Sequence, residues 1–423
     1  MTQTVAPPLL VPVPEPDPAQ TRRASALSRT PGRMRVAGVV AVLASLAVGV
    51  LGVQTGLAQS RALASADADT RQLVGIQDVR NDLVVADATA TNAFLVGGLE
   101  PPAQRAKYDA AIASAATGLA QLAGSNQADA ELLGKATAGL TTYTGLVEQA
   151  RANNRQGFPV GAAYLDQASS VLRSDVLPEL DSLVKTNSDR VDSSFDAVSE
   201  TPWLLTLGLI ALVAFVVVQS WLARRTHRRL NSGLFWATIL TLVASAAGAL
   251  VLATTAQHSA SVRTGSYADT VAVSQAYSLA NDAKSMESFT LIKRGSGQAY
   301  EKIFQTETAQ ARTLLAGVDD ALVQSLDAWT AEHQKIRALD DAGQWDQAVA
   351  LAISLAPDSP NAAFDAFSTA ATGSVEASAT ATQDALSGAG TAAVLVGWLI
   401  LLAGLVAAVL SWRGISRRVE EYR

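Results

Sequence analysis

The chain has 423 residues, no cysteine, and 32 Lys+Arg against 38 Asp+Glu, a net charge of −6. Hydrophobic residues make up 49% and charged residues 17%. The net charge averages basic and acidic pieces of the chain and by itself says nothing about nucleic acid, which is not expected as a partner; the missing cysteine removes disulfides, so the folded parts must be held by packing.

Residues 1–35 read as a cytoplasmic tail. Its Pro7–Pro18 stretch is expected to be extended and disordered, either a docking peptide or a plain flexible tail. Ser25 follows Arg22-Arg23 and Thr30 follows Arg29, a pattern that basophilic kinases modify and that is common by chance. Residues 36–58 carry no charge and exceed the roughly 20 residues needed to cross a hydrocarbon core of about 30 Å. The stretch is too long for the usual h-region of a secretory signal, about 7 to 15 residues, and is read as a membrane helix. Three further uncharged spans follow, at 203–223, 234–253 and 392–412. Trp203, Trp221, Trp236 and Trp412 at their ends suit interfacial anchoring.

The pieces next to the spans are basic: Arg22, Arg23, Arg29, Arg33 and Arg35 in the tail, Arg224, Arg225, Arg228 and Arg229 in the link 224–233, and Arg413, Arg417, Arg418 and Arg423 in the closing piece 413–423. Lys and Arg near spans stay cytoplasmic. Both termini and the link are therefore expected inside, with 59–202 and 254–391 outside. The first outer segment has 18 Asp+Glu against 11 Lys+Arg, and the second 16 against 8, in line with that orientation.

Both outer segments have a helical composition. Breaks are expected in 97–102, 124–126 and 153–159, then in 294–297, near Gly317 and in 340–343, which makes four helices in each. Stripes such as Leu140, Tyr143, Val147 and Ala150, or Leu172, Val176, Leu180 and Leu183, would bury one face per helix. The stripe Leu322, Leu326, Trp329, His333 and Ile336 puts His333 on a mostly apolar face, as a packed side chain rather than a ligand. The terminal helices are expected to run toward the spans, interrupted by Pro202 in the first segment and by Gly388 and Gly390 in the second.

The two halves align residue by residue. Asp87, Ala88 and Phe94 pair with Asp282, Ala283 and Phe289 at a separation of 195 residues; Leu140, Tyr143, Arg151, Gly157 and Leu165 pair with Leu326, Trp329, Arg337, Gly343 and Leu351 at 186. The second copy is thus nine residues shorter. The expected fold is an all-α membrane protein with four transmembrane helices and two tandem extracytoplasmic four-helix bundles made by duplication. Two such units in one chain amount to a pseudo-dimer, and a homo-oligomer stays open.

Catalytic chemistry finds no residues to stand on. His227, His258 and His333 are scattered without metal-ligand spacing, and there is no phosphate loop, GxSxG elbow or cysteine nucleophile. No enzyme activity, cofactor or metal is expected. The span cores hold no ionisable group, which speaks against transport, while Ala41, Ser45 and Gly49, and Ala237, Thr241, Ser245 and Ala249, suit close span packing.

The plan resembles, in architecture, the ligand-binding ectodomains of chemoreceptors and sensor kinases. Over nearly the whole chain it is similar to the actinobacterial GlnX-type four-span membrane signalling proteins, on that plan, the stretch Leu146-Val147-Glu148-Gln149-Ala150-Arg151-Ala152-Asn153-Asn154-Arg155-Gln156-Gly157, and the closing Gly414–Arg423. The resemblance implies a non-enzymatic transducer that relays amino-acid availability from a solute-binding lipoprotein outside to a Ser/Thr protein kinase inside. A direct small-molecule chemosensor and a structural or assembly protein of the cell envelope stay open beside it. The duplicated polar pairs, Asp87 with Asp282 and Arg151 with Arg337, are candidates for a ligand or partner surface, with a solvated helix face or a cap as the plain alternative. Arg224, Arg225, Arg228, Arg229, Arg417, Arg418, Glu420 and Glu421 are candidate contacts for a cytoplasmic partner, although anionic lipid headgroups would account for the arginines.

Overall fold

The computed structural model describes residues 30–157, 159–199, 203–226 and 231–420. The tail with Pro7–Pro18, Arg22, Arg23, Ser25 and Arg29 lies outside them, as do Pro202 and His227. The described residues are helical, without strands: α1 (Thr30–Val96), α2 (Pro102–Ser125), α3 (Ala130–Arg155), α4 (Val160–Val171), a π turn (Leu172–Val176), α5 (Leu177–Ser199), α6 (Trp203–Thr226), α7 (Ser232–Thr264), α8 (Ser266–Ile292), α9 (Gln298–Leu315), α10 (Asp320–Asp341), α11 (Trp345–Ala352) and α12 (Pro360–Glu420).

The chain divides into two compact units. The first collects the described parts of Met1–Ala58, Thr201–Thr254 and Ala392–Arg423. Three helical stretches among the described residues are long and apolar enough to cross a membrane: Gly32–Val96, Ser232–Ile292 and Pro360–Arg417; α6 adds a shorter apolar stretch, Gly208–Trp221. In this unit large apolar side chains face outward, among them Leu43 at 59% exposure, Val217 at 60%, Leu250 at 65% and Leu399 at 64%. A surface so continuously apolar suits lipid rather than water.

Small residues set the spacing inside the unit. A Cβ on Gly56 would stand 2.5 Å from the Ala393 carbonyl oxygen, and one on Gly404 would stand 2.7 Å from that of Ser45, so α1 and α12 meet backbone to backbone. The expected stripe Ala41, Ser45 and Gly49 is buried in this contact. Ala237 and Thr241 of α7 are buried too, and Ser245 lies against Gly208 of α6. Two polar side chains of this unit bond to neighbouring groups, as a low-dielectric medium favours. The Gln219 amide donates to the Leu234 carbonyl at 3.1 Å and to the Thr238 hydroxyl at 2.8 Å. Asn231 caps α7 through the Gly233 and Leu234 amides and donates to the Gly414 carbonyl at 2.9 Å.

The second unit holds Gln59–Glu200 and Thr255–Thr391. The segments expected as two tandem bundles share one core here: Tyr143, Leu165 and Leu183 of the first copy and Phe289, Trp329 and Phe367 of the second belong to a single apolar cluster. Local chemistry explains the helix ends. Pro102 occupies the first turn of α2, where its missing N–H costs nothing. Asp319 caps α10 by accepting from the Ala321 and Leu322 amides. Gly157 and Gly343 leave α3 and α10 with φ of +70° and +75°, a left-handed conformation that glycine adopts without strain.

Three features depart from expectation. Gly388 and Gly390 lie within α12 and do not interrupt it; glycine weakens a helix by about 1 kcal/mol, which tertiary packing can override. A break falls instead at Gly265, between α7 and α8, with φ −108° and ψ −110°. The fourth helix of the first copy stays continuous through the π turn, whereas the second copy opens the corresponding region into residues 353–359 between α11 and α12.

Candidate functional site

The first helices of the two copies meet along a polar seam. From α1 to α8, Asn81 donates to the Ser274 hydroxyl at 3.0 Å, and the Thr91 and Ser285 hydroxyls are 3.2 Å apart. Arg80 reaches Ser278 across the seam and pairs with Asp181 of α5 at 2.9 Å.

Asp87 and Asp282, paired by the repeat, come together on one guanidinium: Arg173 stands 3.0 Å from Asp282 and 3.7 Å from Asp87. Asp87 is not on a surface. It is 1% exposed and accepts from the Ser169 and Ser285 hydroxyls, so the expected solvent-facing role gives way to an interior one. Burial raises its pKa, a rise that Arg173 and the two hydroxyls only partly offset. Glu307 stands nearby on α9, pushed up to about 10 by burial and then by Asp282, so it keeps its proton at neutral pH. Arg173 sits within the π turn, whose widened register is a frequent feature of functional sites.

The repeated arginines line matched cavities, one in each copy. Arg151 borders a cavity of about 260 Å³ with Phe94, Glu100 and Asn154. It pairs with Glu100 at 3.0 Å and Glu148 at 2.9 Å, and its guanidinium lies 4.0 Å from the Tyr108 ring centre. Arg337 borders a cavity of about 1200 Å³ with Arg294, Glu301, His333 and Trp345. It pairs with Asp340 and Asp341, each at 2.7 Å, and with Glu301 at 3.5 Å.

Beneath the second cavity lies a charged cluster within the core. His333, 2% exposed, is indeed packed, stacking on Phe304 with 3.6 Å between ring centres. Its two nitrogens also lie 3.0 Å from Glu287 and 2.9 Å from Glu301. Burial pulls the His333 pKa down, but the hydrogen bonds and charges of Glu287 and Glu301 outweigh it, and the net shift is upward. For Glu287, fully buried, the upward pull of burial is overcome by Lys284 and His333, leaving the pKa at about 2.

Among the expected cytoplasmic contacts, Arg224, Arg417 and Glu420 are exposed. Arg228, Arg229 and Glu421 lie outside the described residues, as do the side chains of Arg225 and Arg418. Sequence reasoning missed Arg173, Glu307 and the Lys284–Glu287 pair. Only the last had a local signal, the i,i+3 spacing of opposite charges.

An all-helical polar unit with buried charges and several cavities, on a chain with apolar membrane-length helices, has the build of a membrane sensor. Residues 62–196, spanning most of the first copy, match the family model described as an actinobacterial sensor domain. That similarity supports an actinobacterial sensor protein and points to signal sensing. Comparison with curated proteins and with solved structures finds no match.

Proposed function

We propose that the protein is a non-enzymatic transmembrane signal transducer with four spans, both termini and the basic link in the cytoplasm, and the 59–202 and 254–391 segments outside. The observation that supports this most is continuity. Helix α1 runs unbroken for 67 residues and α12 for 61, so each carries both apolar membrane-length sequence and part of the sensor-like unit. A stiff helix passes a displacement along its axis without a joint that would absorb it.

In this reading the output passes to a cytoplasmic partner, with the exposed Arg224, Arg417 and Glu420 among the groups that would meet it. The GlnX-type resemblance supplies the partner half of this reading: an amino-acid cue brought by a solute-binding lipoprotein outside, and a Ser/Thr protein kinase inside.

Topology is tested by cysteines placed at Ser125, Ser325 and Ser232 in the cysteine-free chain. An impermeant thiol reagent on intact cells should label the first two and spare the third; any other pattern overturns the orientation. Transduction is tested by truncating the chain after Ser416. The protein should still insert, and the change in cytoplasmic protein phosphorylation after an amino-acid shift should disappear. An unaltered response overturns the transducer.

A further inference from the structure

Beside the seam, between α1 and α5 of the first copy and α8 and α9 of the second, lies a cavity of about 640 Å³, distinct from the two that hold the repeated arginines. Small-molecule sites commonly have about 300–1,000 Å³. Two amides, one turn apart on α1, form its wall. Gln77 is 3% exposed, and neither its amide nitrogen nor its amide oxygen has a hydrogen-bond partner. Asn81 is 7% exposed; its nitrogen is used by Ser274, and its oxygen is unpartnered. Buried amide atoms left unpaired each cost about 1–3 kcal/mol, so three in one wall call for an occupant that offers both a donor and an acceptor.

The charges on the wall do not call for an ion. Arg80 is already engaged by Asp181 at 2.9 Å and by Ser278. The rest of the wall has uncharged polar residues, among them Gln275, Thr306 and Gln310, beside Val184, Leu279 and Leu314, and most of its exposed surface is apolar. We infer that this cavity is the ligand site of the sensor, and that it takes a small, net-neutral molecule with an amide-type donor and acceptor and an apolar remainder. The inference rests on the sensor reading and deepens it: the ligand enters directly between the copies, where it would bias the spacing of α1 and α8.

The test uses the full chain in nanodiscs, with thermal unfolding and calorimetry against isovaleramide and N-acetyl-leucinamide, and with isovalerate and leucinamide as the anionic and cationic counterparts. The neutral amides should raise the unfolding temperature saturably, and the charged counterparts should bind at least tenfold more weakly. Gln77→Leu should leave the ligand-free protein as stable or more so, and weaken the neutral amides at least tenfold. Ala309→Trp, which fills the cavity from an exposed position on α9, should abolish binding while the protein stays folded. Failure of both amides to bind, or unchanged binding in Gln77→Leu and Ala309→Trp, overturns the proposal. So does a large loss of stability in Gln77→Leu without binding of either amide, the result expected if the cavity holds structural water. Binding that passes these tests alongside an intact phosphorylation response after truncation at Ser416 would keep the site and remove the transducer.

Discussion

Where the first copy buries Val147 near Tyr108 and Tyr143, the second buries His333 near Phe304 and Trp329. By the spacings of the repeat, the neutral Thr89 and Asn92 of α1 stand opposite Lys284 and Glu287 of α8. The copies thus share a helical plan but not an interior: the second carries a network of the buried Lys284, Glu287 and His333 with the half-buried Glu301 and Arg337, and the first holds neutral groups at four of those five positions. The asymmetry runs the other way at the seam. Arg173, from the first copy, serves both Asp87 and Asp282, whereas the same spacing puts Ser359 at its place in the second, where the hydroxyl accepts from the Ala362 amide at the start of α12. The bridging cation thus comes from the first segment, and the titratable core belongs to the second.

The largest expected effect removes the shared element. Arg173→Met leaves Asp87 buried without its counter-charge, and loss of one partner of a buried pair costs about 3–5 kcal/mol. Chemical unfolding of the full chain should show that loss. A loss below about 1 kcal/mol would mean that the two copies do not depend on a common bridge.

The next effect separates the copies by pH. His333 has a raised folded-state pKa, so its contribution is complete below its ordinary value of 6.5 and is lost as pH rises through the folded value. Glu287, lowered to about 2, contributes fully above its ordinary 4.5 and loses that contribution as pH falls through about 2. Glu301, also lowered, acts in the same direction as Glu287. The network is therefore complete at about pH 5–6, and above that range stability should fall by up to ~1.4 kcal/mol per pH unit for the one proton on His333. Asp87 and Glu307, both raised, slope the same way, so the measurement is the difference between wild type and His333→Gln across pH 6–9. Parallel curves would sink the assignment of this proton to the second copy.

Smaller effects should come from the matched arginines. Arg151→Gln and Arg337→Gln should each cost about 1 kcal/mol or less, because their ion pairs reach solvent at the cavity mouths. Unequal losses in thermal unfolding would show that the two cavities have diverged in structure as well as in size. Smallest of all is Glu307→Gln. The side chain is already neutral at pH 7, so stability there should stay within about 0.5 kcal/mol of wild type. A clear loss would show that the carboxyl is ionised beside Asp282.

Much of the helical layout was legible because its causes are local. Pro102, Asp319, Gly157 and Gly343 mark helix ends through bonds and φ preferences that act within a few residues. The stripes Leu140, Tyr143, Val147 and Ala150, and Leu322, Leu326, Trp329, His333 and Ile336, are buried as their spacing predicts. Gly388 and Gly390 misled for the converse reason: a propensity cost of about 1 kcal/mol each is small beside the packing that holds α12 together.

The functional groups were less legible. The repeat singled out Asp87 and Asp282 but placed them on a surface, because nothing within either copy reveals that α1 lies against α8. Arg173 is 109 positions from Asp282 in the chain, and Glu287 is 46 from His333; no spacing rule joins such residues. The unpaired Gln77 amide and Asn81 amide oxygen were invisible for the same reason, since their burial depends on helices of the other copy closing over them.

By itself, then, the sequence determined the apolar membrane-length segments, many of the helix ends and the buried stripes, all set by short-range periodicity and backbone chemistry. Only the tertiary structure decided that the two polar segments share one core, that one arginine bridges both aspartates, and that a cavity lined by amides lies where the copies meet. Those outcomes depend on which helix faces touch across the repeat, a long-range pairing whose energy no local pattern records.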